Sequence, residues 1–178
     1  MRLHIFLTIL STLMQPSPLQ LVQLFYTNIA VKSRPLEAEQ ELESPFDFNG
    51  VIIGEGIDVA VLSEDKENPE EFALRLRIAI TNAEGKQAPY DIDIEATAVF
   101  TVAPQFKRED RENFVVVNGC AVLYGAIRDQ ILTLTSRSTN GPLLLPTVNF
   151  LDRRRESTPD QHKELPPKKQ RKPAAKKL

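Results

Sequence analysis

The sequence predicts an α+β domain in which a four-stranded antiparallel sheet is followed by two helices. Four apolar segments with the two-residue alternation of β-strands follow one another between residues 19 and 102, joined by short connections. Beyond this region the apolar residues recur three and four positions apart, which is the spacing of an amphipathic helix. Consecutive strands followed by helices favour an antiparallel sheet with the helices on one face.

The first two predicted strands are irregular. Residues 19–34 alternate loosely and are rich in Leu, Val, Phe and Tyr, and a proline ends the segment. The second strand, "VIIGEGIDVAVL" at residues 51–62, contains two glycines that suggest a β-bulge. Between these strands, "PFDFNG" is predicted to form a turn that exposes Phe46 and Phe48.

The third and fourth strands have clearer patterns. "FALRLRIAIT" at residues 72–81 places every second residue on an apolar face, with Arg75 and Arg77 on the other. The apolar face consists of Phe72, Leu74, Leu76, Ile78 and Ile80. In "YDIDIEATAVFTV" at residues 90–102, alternation directs Tyr90, Ile92 and Ile94 inward. The same alternation directs Asp91, Asp93 and Glu95 outward.

The helical part of the chain begins in the segment after the fourth strand. Residues 103–119 are first charged and then apolar, and residues 120–137 carry the three-and-four spacing of an amphipathic helix. A second helix is predicted in "VNFLDRRREST", with Asn149 near its N-cap and an end before Pro159.

The two ends of the chain differ from the domain between them. Residues 1–18 form an apolar extension whose first 14 residues are too short to span a bilayer, so stable membrane insertion is not expected. No A-x-A-like cleavage site follows, and three interpretations stay open: a signal peptide, a native start at Met14, or a short apolar segment that stays as a cytoplasmic extension. Residues 19–157 form the predicted domain, and the Pro/Lys-rich composition of residues 158–178 predicts a disordered tail.

Charge is divided between the domain and the tail. Residues 153–178 contain 10 Lys and Arg against three acids, a charge of +7, whereas residues 1–152 contain 12 bases against 21 acids, a charge of -9. A basic tail can bind nucleic acid, an anionic membrane surface or an acidic protein, or it can serve only to keep the protein soluble. No aromatic residue is interleaved in "KKQRKPAAKK", so base stacking is not indicated and nucleic acid is not the favoured partner.

The sequence contains no combination of residues that indicates catalysis or metal binding. There is one cysteine, Cys120, and the two histidines, His4 and His162, lie near the ends. A disulfide within the chain is excluded, a reducing compartment is favoured, and a Cys/His metal site is disfavoured. There is also no Walker loop, G-x-G-x-x-G or G-x-S-x-G motif, so we expect neither an enzyme nor a cofactor. The acids at 91, 93 and 95 fit a solvated sheet face, an acid–base pair or a cation site.

The segment from residue 119 to residue 150 resembles the C-terminal half of the SecB protein-export chaperones. The similarity lies in "GCAVLYGAIRDQI" and "TSRSTNGPLLLPTVNF", and with the preceding strands it extends over roughly residues 19–152. The matching residues are Cys120, Leu123, Arg128, Asp129, Ser136, Arg137, Pro142, Leu143, Leu145, Pro146, Val148, Asn149 and Phe150. The resemblance implies the sheet-and-two-helix fold and an assembly of two dimers into a homotetramer.

The resemblance also implies a function. The family binds unfolded preproteins in long apolar grooves without ATP, in the cytoplasm, and transfers them to the SecA motor through an acidic sheet face. On this basis the client groove is expected to involve the Phe46–Phe48 turn and the leucines of the proline-flanked run. Those leucines are Leu143, Leu144 and Leu145. Asp91, Asp93 and Glu95 are expected to form the face presented to the translocase.

Three departures from the family leave other functions open. Asn28 and Lys32 occupy first-strand positions where the family commonly carries acids, Pro159 shortens the second helix, and the tail is basic. SecA is therefore an uncertain partner. The alternatives are a SecB-like chaperone dedicated to the antitoxin of a toxin–antitoxin system, and a nucleic-acid-associated protein that acts through its tail.

Overall fold

The structure, a computed structural model, describes residues 15–35 and 45–154. It contains one four-stranded sheet and one long helix. The strands are β1 (Leu19–Ser33), β2 (Gly54–Val61), β3 (Glu71–Ile80) and β4 (Tyr90–Val102), and the helix is α1 (Arg111–Thr135). Neighbouring strands are antiparallel in the order β1-β4-β3-β2, which confirms the predicted antiparallel sheet. The predictions for residues 1–14 and for the tail at 158–178 lie outside the described residues.

The sheet is buried on one face only. Along β4 every second side chain from Tyr90 to Val102 is buried, and along β3 the same holds from Phe72 to Ile80. Helix α1 covers this face with a stripe of buried residues. The stripe consists of Val115, Val116, Gly119, Cys120, Leu123, Tyr124, Ile127, Ile131 and Thr135. The predicted inward and outward residues of both strands are confirmed.

Helix α1 begins at Arg111, nine residues before the predicted start. The run "FVVV" consists of an aromatic and three β-branched residues and has low helix propensity, yet Val115 and Val116 are buried against the sheet, so tertiary packing outweighs propensity here. A Cβ at Gly119 would lie 2.6 Å from Leu74 Cδ2, so the glycine permits a close approach of helix and sheet. By length and composition α1 also passes for a membrane span, but its buried stripe shows that the apolar residues pack inside the domain.

The two outer strands differ from their predicted geometry. The β-bulge predicted in β2 is wrong, because β2 pairs with β3 in continuous register from Gly54 to Val61. Gly56 instead lies opposite Arg77, where a Cβ would be 3.7 Å from the Arg77 Cβ. The irregularities are in β1, whose register with β4 shifts twice, between Leu21 and Gln23 and between Tyr26 and Asn28.

The second predicted helix is not present in the described residues. After α1 the chain turns at Gly141, which has φ +72°, and continues without regular secondary structure to residue 150. Pro142 and Pro146 have no N–H and so cannot join a helical or sheet ladder as donors. Asn149 Oδ1 accepts from the Leu151 N–H at 3.0 Å, as an N-cap would, but only a single 3-10 turn follows, Leu151–Arg153.

Candidate functional site

The segment that carries "GPLLLPTVNF", residues 141–150, is called the strap below. Its three successive leucines have different environments. Leu143 and Leu145 are 1% and 0% exposed, whereas Leu144 is 46% exposed. Phe150 is also buried, and its ring lies 5.8 Å from that of Tyr124. Two of the leucines expected in a groove therefore attach the strap to the core, and only Leu144 presents its side chain to solvent.

Side chains of β4 and α1 hold the strap in place. The Tyr90 hydroxyl donates to the Gly141 carbonyl, and the Leu143 N–H donates to Thr135 Oγ1 at 2.8 Å. Further along, the Arg128 Nε–H and the Tyr124 hydroxyl each donate at 2.7 Å, to the carbonyl oxygens of Leu145 and Pro146. Burial raises the pKa of Tyr124 to about 12, so this hydroxyl remains a donor at neutral pH.

The turn that contains Phe46 and Phe48 lies at the same end of the sheet as the start of the strap. The two rings pack edge to face, 5.0 Å apart, and both are partly buried against the core, so the predicted exposure is only partial. Lys86, from the β3–β4 connection, lies 4.9 Å above the Phe46 ring and donates to the Asp47 carbonyl at 2.7 Å. The turn therefore has a defined position against the β3–β4 connection.

The strap and the turn flank the same edge strand, β2. The turn precedes β2 by three residues, and just beyond the strap the Arg153 guanidinium pairs with Glu55 of β2. Exposed apolar side chains lie on the segments that border this edge. They are Ile52, Val61, Leu62, Leu144, Val148 and Leu151. The sequence had indicated only Leu144 of these six residues. The two-residue alternation from Leu144 along an extended strap could have indicated Val148, whereas Leu151 lies in the 3-10 turn beyond the strap and does not follow that alternation.

The opposite face of the sheet carries the predicted carboxylates. Asp91, Asp93 and Glu95 all point away from α1, and each accepts a hydrogen bond, Glu95 from the Thr27 hydroxyl. Arg77 binds Asp93 through two hydrogen bonds of 2.7 and 2.8 Å, and this pairing is the main cause that lowers the pKa of Asp93. The structure thus brings the three acids together on one open face, as expected from the sequence.

The bases on this face balance much of its negative charge. Arg75 pairs with Asp58 at 2.6 Å, and Asn82 donates to Asp91 at 2.8 Å. The two first-strand positions of interest lie beside the acids: Asn28 donates to the Asp93 carbonyl, and Lys32 is in register with Asp91. The face is therefore a mixed-charge surface in which the carboxylates already have hydrogen-bonding partners.

The described residues do not indicate a metal site or a reactive cysteine. In residues 15–35 and 45–154 there is no group of three or more Cys, His, Asp or Glu side chains that could hold a metal ion. Cys120 lies in the buried stripe of α1, and burial raises the pKa of its thiol to about 12, so the thiolate is not formed at neutral pH. Cys120 therefore serves as a small core residue.

These features define a class of protein: an antiparallel sheet with one face covered by a long helix, and an extended strap that carries exposed apolar residues. The chain belongs to the SecB family. The family model described as "Preprotein translocase subunit SecB" matches residues 56–156, which is more than half of the chain. The match confirms the resemblance seen in residues 119–150 and identifies the chain as a member of a chaperone family.

Similar solved structures include a SecB-like chaperone of Mycobacterium tuberculosis in complex with a ChAD peptide from the HigA1 antitoxin. It is 20% identical, with 73% of this chain and 90% of that chain covered and a TM-score of 0.47. A Streptococcus agalactiae protein of unknown function is 14% identical, with 72% and 97% covered and the same TM-score. No curated protein matches the sequence. The family assignment rests on the family model.

Proposed function

We propose that this protein is a cytoplasmic, ATP-independent chaperone that binds apolar segments of unfolded preproteins and keeps them competent for export by the Sec translocase. The observation that carries the proposal is the group of exposed apolar side chains on the strap and beside β2. Leu144, Val148 and Leu151 are each at least 40% exposed on a segment that is fixed to the core. Exposed apolar groups on a soluble protein mark a surface that binds another chain.

The geometry suits an extended, unfolded client. The strap is already ordered, so little conformational entropy remains to be lost on its side when a client binds. Phe46 and Phe48 add a second, partly exposed apolar wall next to the same edge strand. Leu143 and Leu145 support this groove from beneath by anchoring the strap.

A direct test is suppression of aggregation of a denatured protein in the absence of nucleotide. The purified chain is expected to keep the client soluble. Leu144→Ala should weaken this activity, whereas Leu134→Ala should leave it unchanged, because Leu134 has a similar exposure on α1. Failure of the unmodified protein to hold any unfolded client would reject the proposal.

Salt distinguishes groove binding from binding through the basic tail. Burial of apolar surface persists or strengthens as kosmotropic salt is added. Binding of an anion, including nucleic acid, through the Lys/Arg-rich tail should instead fall steeply with salt concentration. Loss of client binding between 50 and about 500 mM salt would favour the tail as the binding element.

The charge balance of the open face favours a second candidate, a chaperone dedicated to one client such as an antitoxin, without transfer to SecA. Asp93 is occupied by Arg77, and Asn28 and Lys32 add no negative charge beside it. The electrostatic attraction between this face and a basic partner is therefore weaker than that of a purely acidic face. Recovery of bound polypeptides from the native host, identified by mass spectrometry, separates the two candidates: many preproteins or one antitoxin. Titration with SecA tests the transfer step.

We also expect a homotetramer. Among the described residues nothing pairs with the outer edge of β1, which carries exposed Leu21, Val22, Phe25 and Ile29, and such edges are normally paired or covered. Light scattering should give a mass of about 80 kDa, four times the 20.1 kDa chain. A stable monomer would contradict the expected tetramer.

A further inference from the structure

The strap has an unusual type of attachment. Among the described residues, no backbone–backbone hydrogen bond joins residues 142–149 to the sheet or to α1. An extended segment without a ladder would normally be free to adopt many conformations, and each such residue has a large entropy to lose on ordering. The strap is nevertheless fixed, so other groups must hold it.

Four side chains supply the missing hydrogen bonds to the strap backbone. Tyr90 donates to the Gly141 carbonyl, and Tyr124 donates to the Pro146 carbonyl. Arg128 donates to the Leu145 carbonyl, and Thr135 accepts from the Leu143 N–H. One comes from β4 and three come from one side of α1, and Thr135 is fully buried. This group is called the clamp below.

We propose that the clamp residues are positioning residues for client binding, because they hold the strap in the conformation that presents Leu144 and Val148. This inference rests on the proposed function of the strap as a groove wall. The clamp residues touch the strap backbone and leave its exposed side chains free. Their effect on affinity is therefore indirect. The apparent affinity for a client is proportional to the fraction of molecules in which the strap is in place.

The three tyrosines of the chain provide a matched experiment. The hydroxyl of each tyrosine donates a hydrogen bond to a backbone carbonyl. The Tyr26 hydroxyl donates to the Ala126 carbonyl of α1, at 3.0 Å, and not to the strap backbone. Tyr90→Phe and Tyr124→Phe each remove one clamp bond, and Tyr26→Phe removes a bond of the same kind elsewhere. All three changes keep the ring and its packing.

Amide hydrogen exchange at Leu143, whose N–H is bound by Thr135, reports opening of the strap. We expect this amide to exchange roughly two- to tenfold faster in each clamp variant, in line with the loss of one hydrogen bond. Amides of the β3–β4 ladder should not change, and neither should Leu143 in Tyr26→Phe. Equal acceleration in all three variants would show that the strap opens only with the whole domain, and would overturn the proposal.

The link to binding is tested with the triple variant Tyr90→Phe, Tyr124→Phe, Arg128→Met. The probe is a protein kept unfolded by reduction and carboxymethylation of its cysteines. The dissociation constant of this probe should rise by a factor equal to one divided by the fraction of molecules with a closed strap. That fraction is measured from amide exchange at Leu143. An open strap with unchanged affinity, or a strap that stays closed in the triple variant, would overturn the role of the clamp.

The two proposals fail in different ways. If the unmodified protein does not bind the unfolded probe, the chaperone proposal fails, but exchange at Leu143 still tests whether the clamp orders the strap. If the unmodified protein binds the probe and the clamp variants bind it equally well with an open strap, only the positioning role fails.

A variant that retains a donor, Arg128→Lys, should restore part of the protection from amide exchange at Leu143 that Arg128→Met removes.

Discussion

Replacement of the three strap leucines one at a time should separate stability from binding. Leu143→Ala and Leu145→Ala each remove a fully buried side chain, and such changes destabilise a protein by about 2–5 kcal/mol. For a domain of this size, 1 kcal/mol lowers the melting temperature by roughly 4 °C, so we expect decreases of roughly 8–20 °C. Leu144→Ala removes a side chain that is 46% exposed and should change stability by at most about 0.5 kcal/mol.

Client binding should show the reverse order. If a client covers Leu144, which is 46% exposed, its truncation to Ala removes about 1 kcal/mol of apolar burial, which corresponds to an affinity about fivefold weaker. Calorimetry and titration of an unfolded client measure the two effects on the same samples. The reasoning is refuted if Leu144→Ala lowers the melting temperature as much as Leu143→Ala, or if it leaves affinity unchanged.

Three further predictions follow from local contacts. Gly119→Ala should destabilise the fold by about 1–3 kcal/mol in urea denaturation, because its Cβ would clash with Leu74. Gly125→Ala, with open space around it, should raise helix stability by up to about 1 kcal/mol; equal effects of the two glycine variants would contradict the packing. Asp93→Asn should lower the melting temperature at pH 7, and this difference should shrink as the pH falls below the ordinary carboxyl pKa of about 4. The lowered pKa of Asp93 makes its stabilising effect complete above the ordinary value near 4 and absent once the carboxylate is protonated, so a difference that persists in acid would argue against pairing with Arg77.

The sequence predicted the sheet well where one face of a strand is buried along its whole length. In β3 and β4 the alternation is strict, so both the strands and their inward faces could be assigned. The start of α1 was missed because "FVVV" favours a strand, and only contact with the sheet makes it helical. The bulges were assigned to β2 because of its glycines, whereas the register shifts lie in β1, where no residue type indicates them.

The candidate site was harder to predict, for two physical reasons. The three leucines are chemically identical, and their different burial follows from the path of the strap over the core. Which charged side chains pair on the open face depends on strand register. Arg77 lies opposite Glu95 and reaches diagonally to Asp93. Register is a property of the assembled sheet, so the charges of the face could be placed from the sequence but their pairing could not.

The strand order has a consequence for synthesis of the chain on the ribosome. Strand β1 is made first, but its partner in the sheet is β4, and the pair Leu19 and Val102 is separated by 83 residues. At the usual rate of about 5–20 residues per second, β1 waits about 4–17 s before its partner has been made. During that interval Phe25, Ile29 and their neighbours belong to an unpaired apolar segment of a nascent polypeptide. This chaperone therefore passes through a state of the same kind as the clients proposed for it.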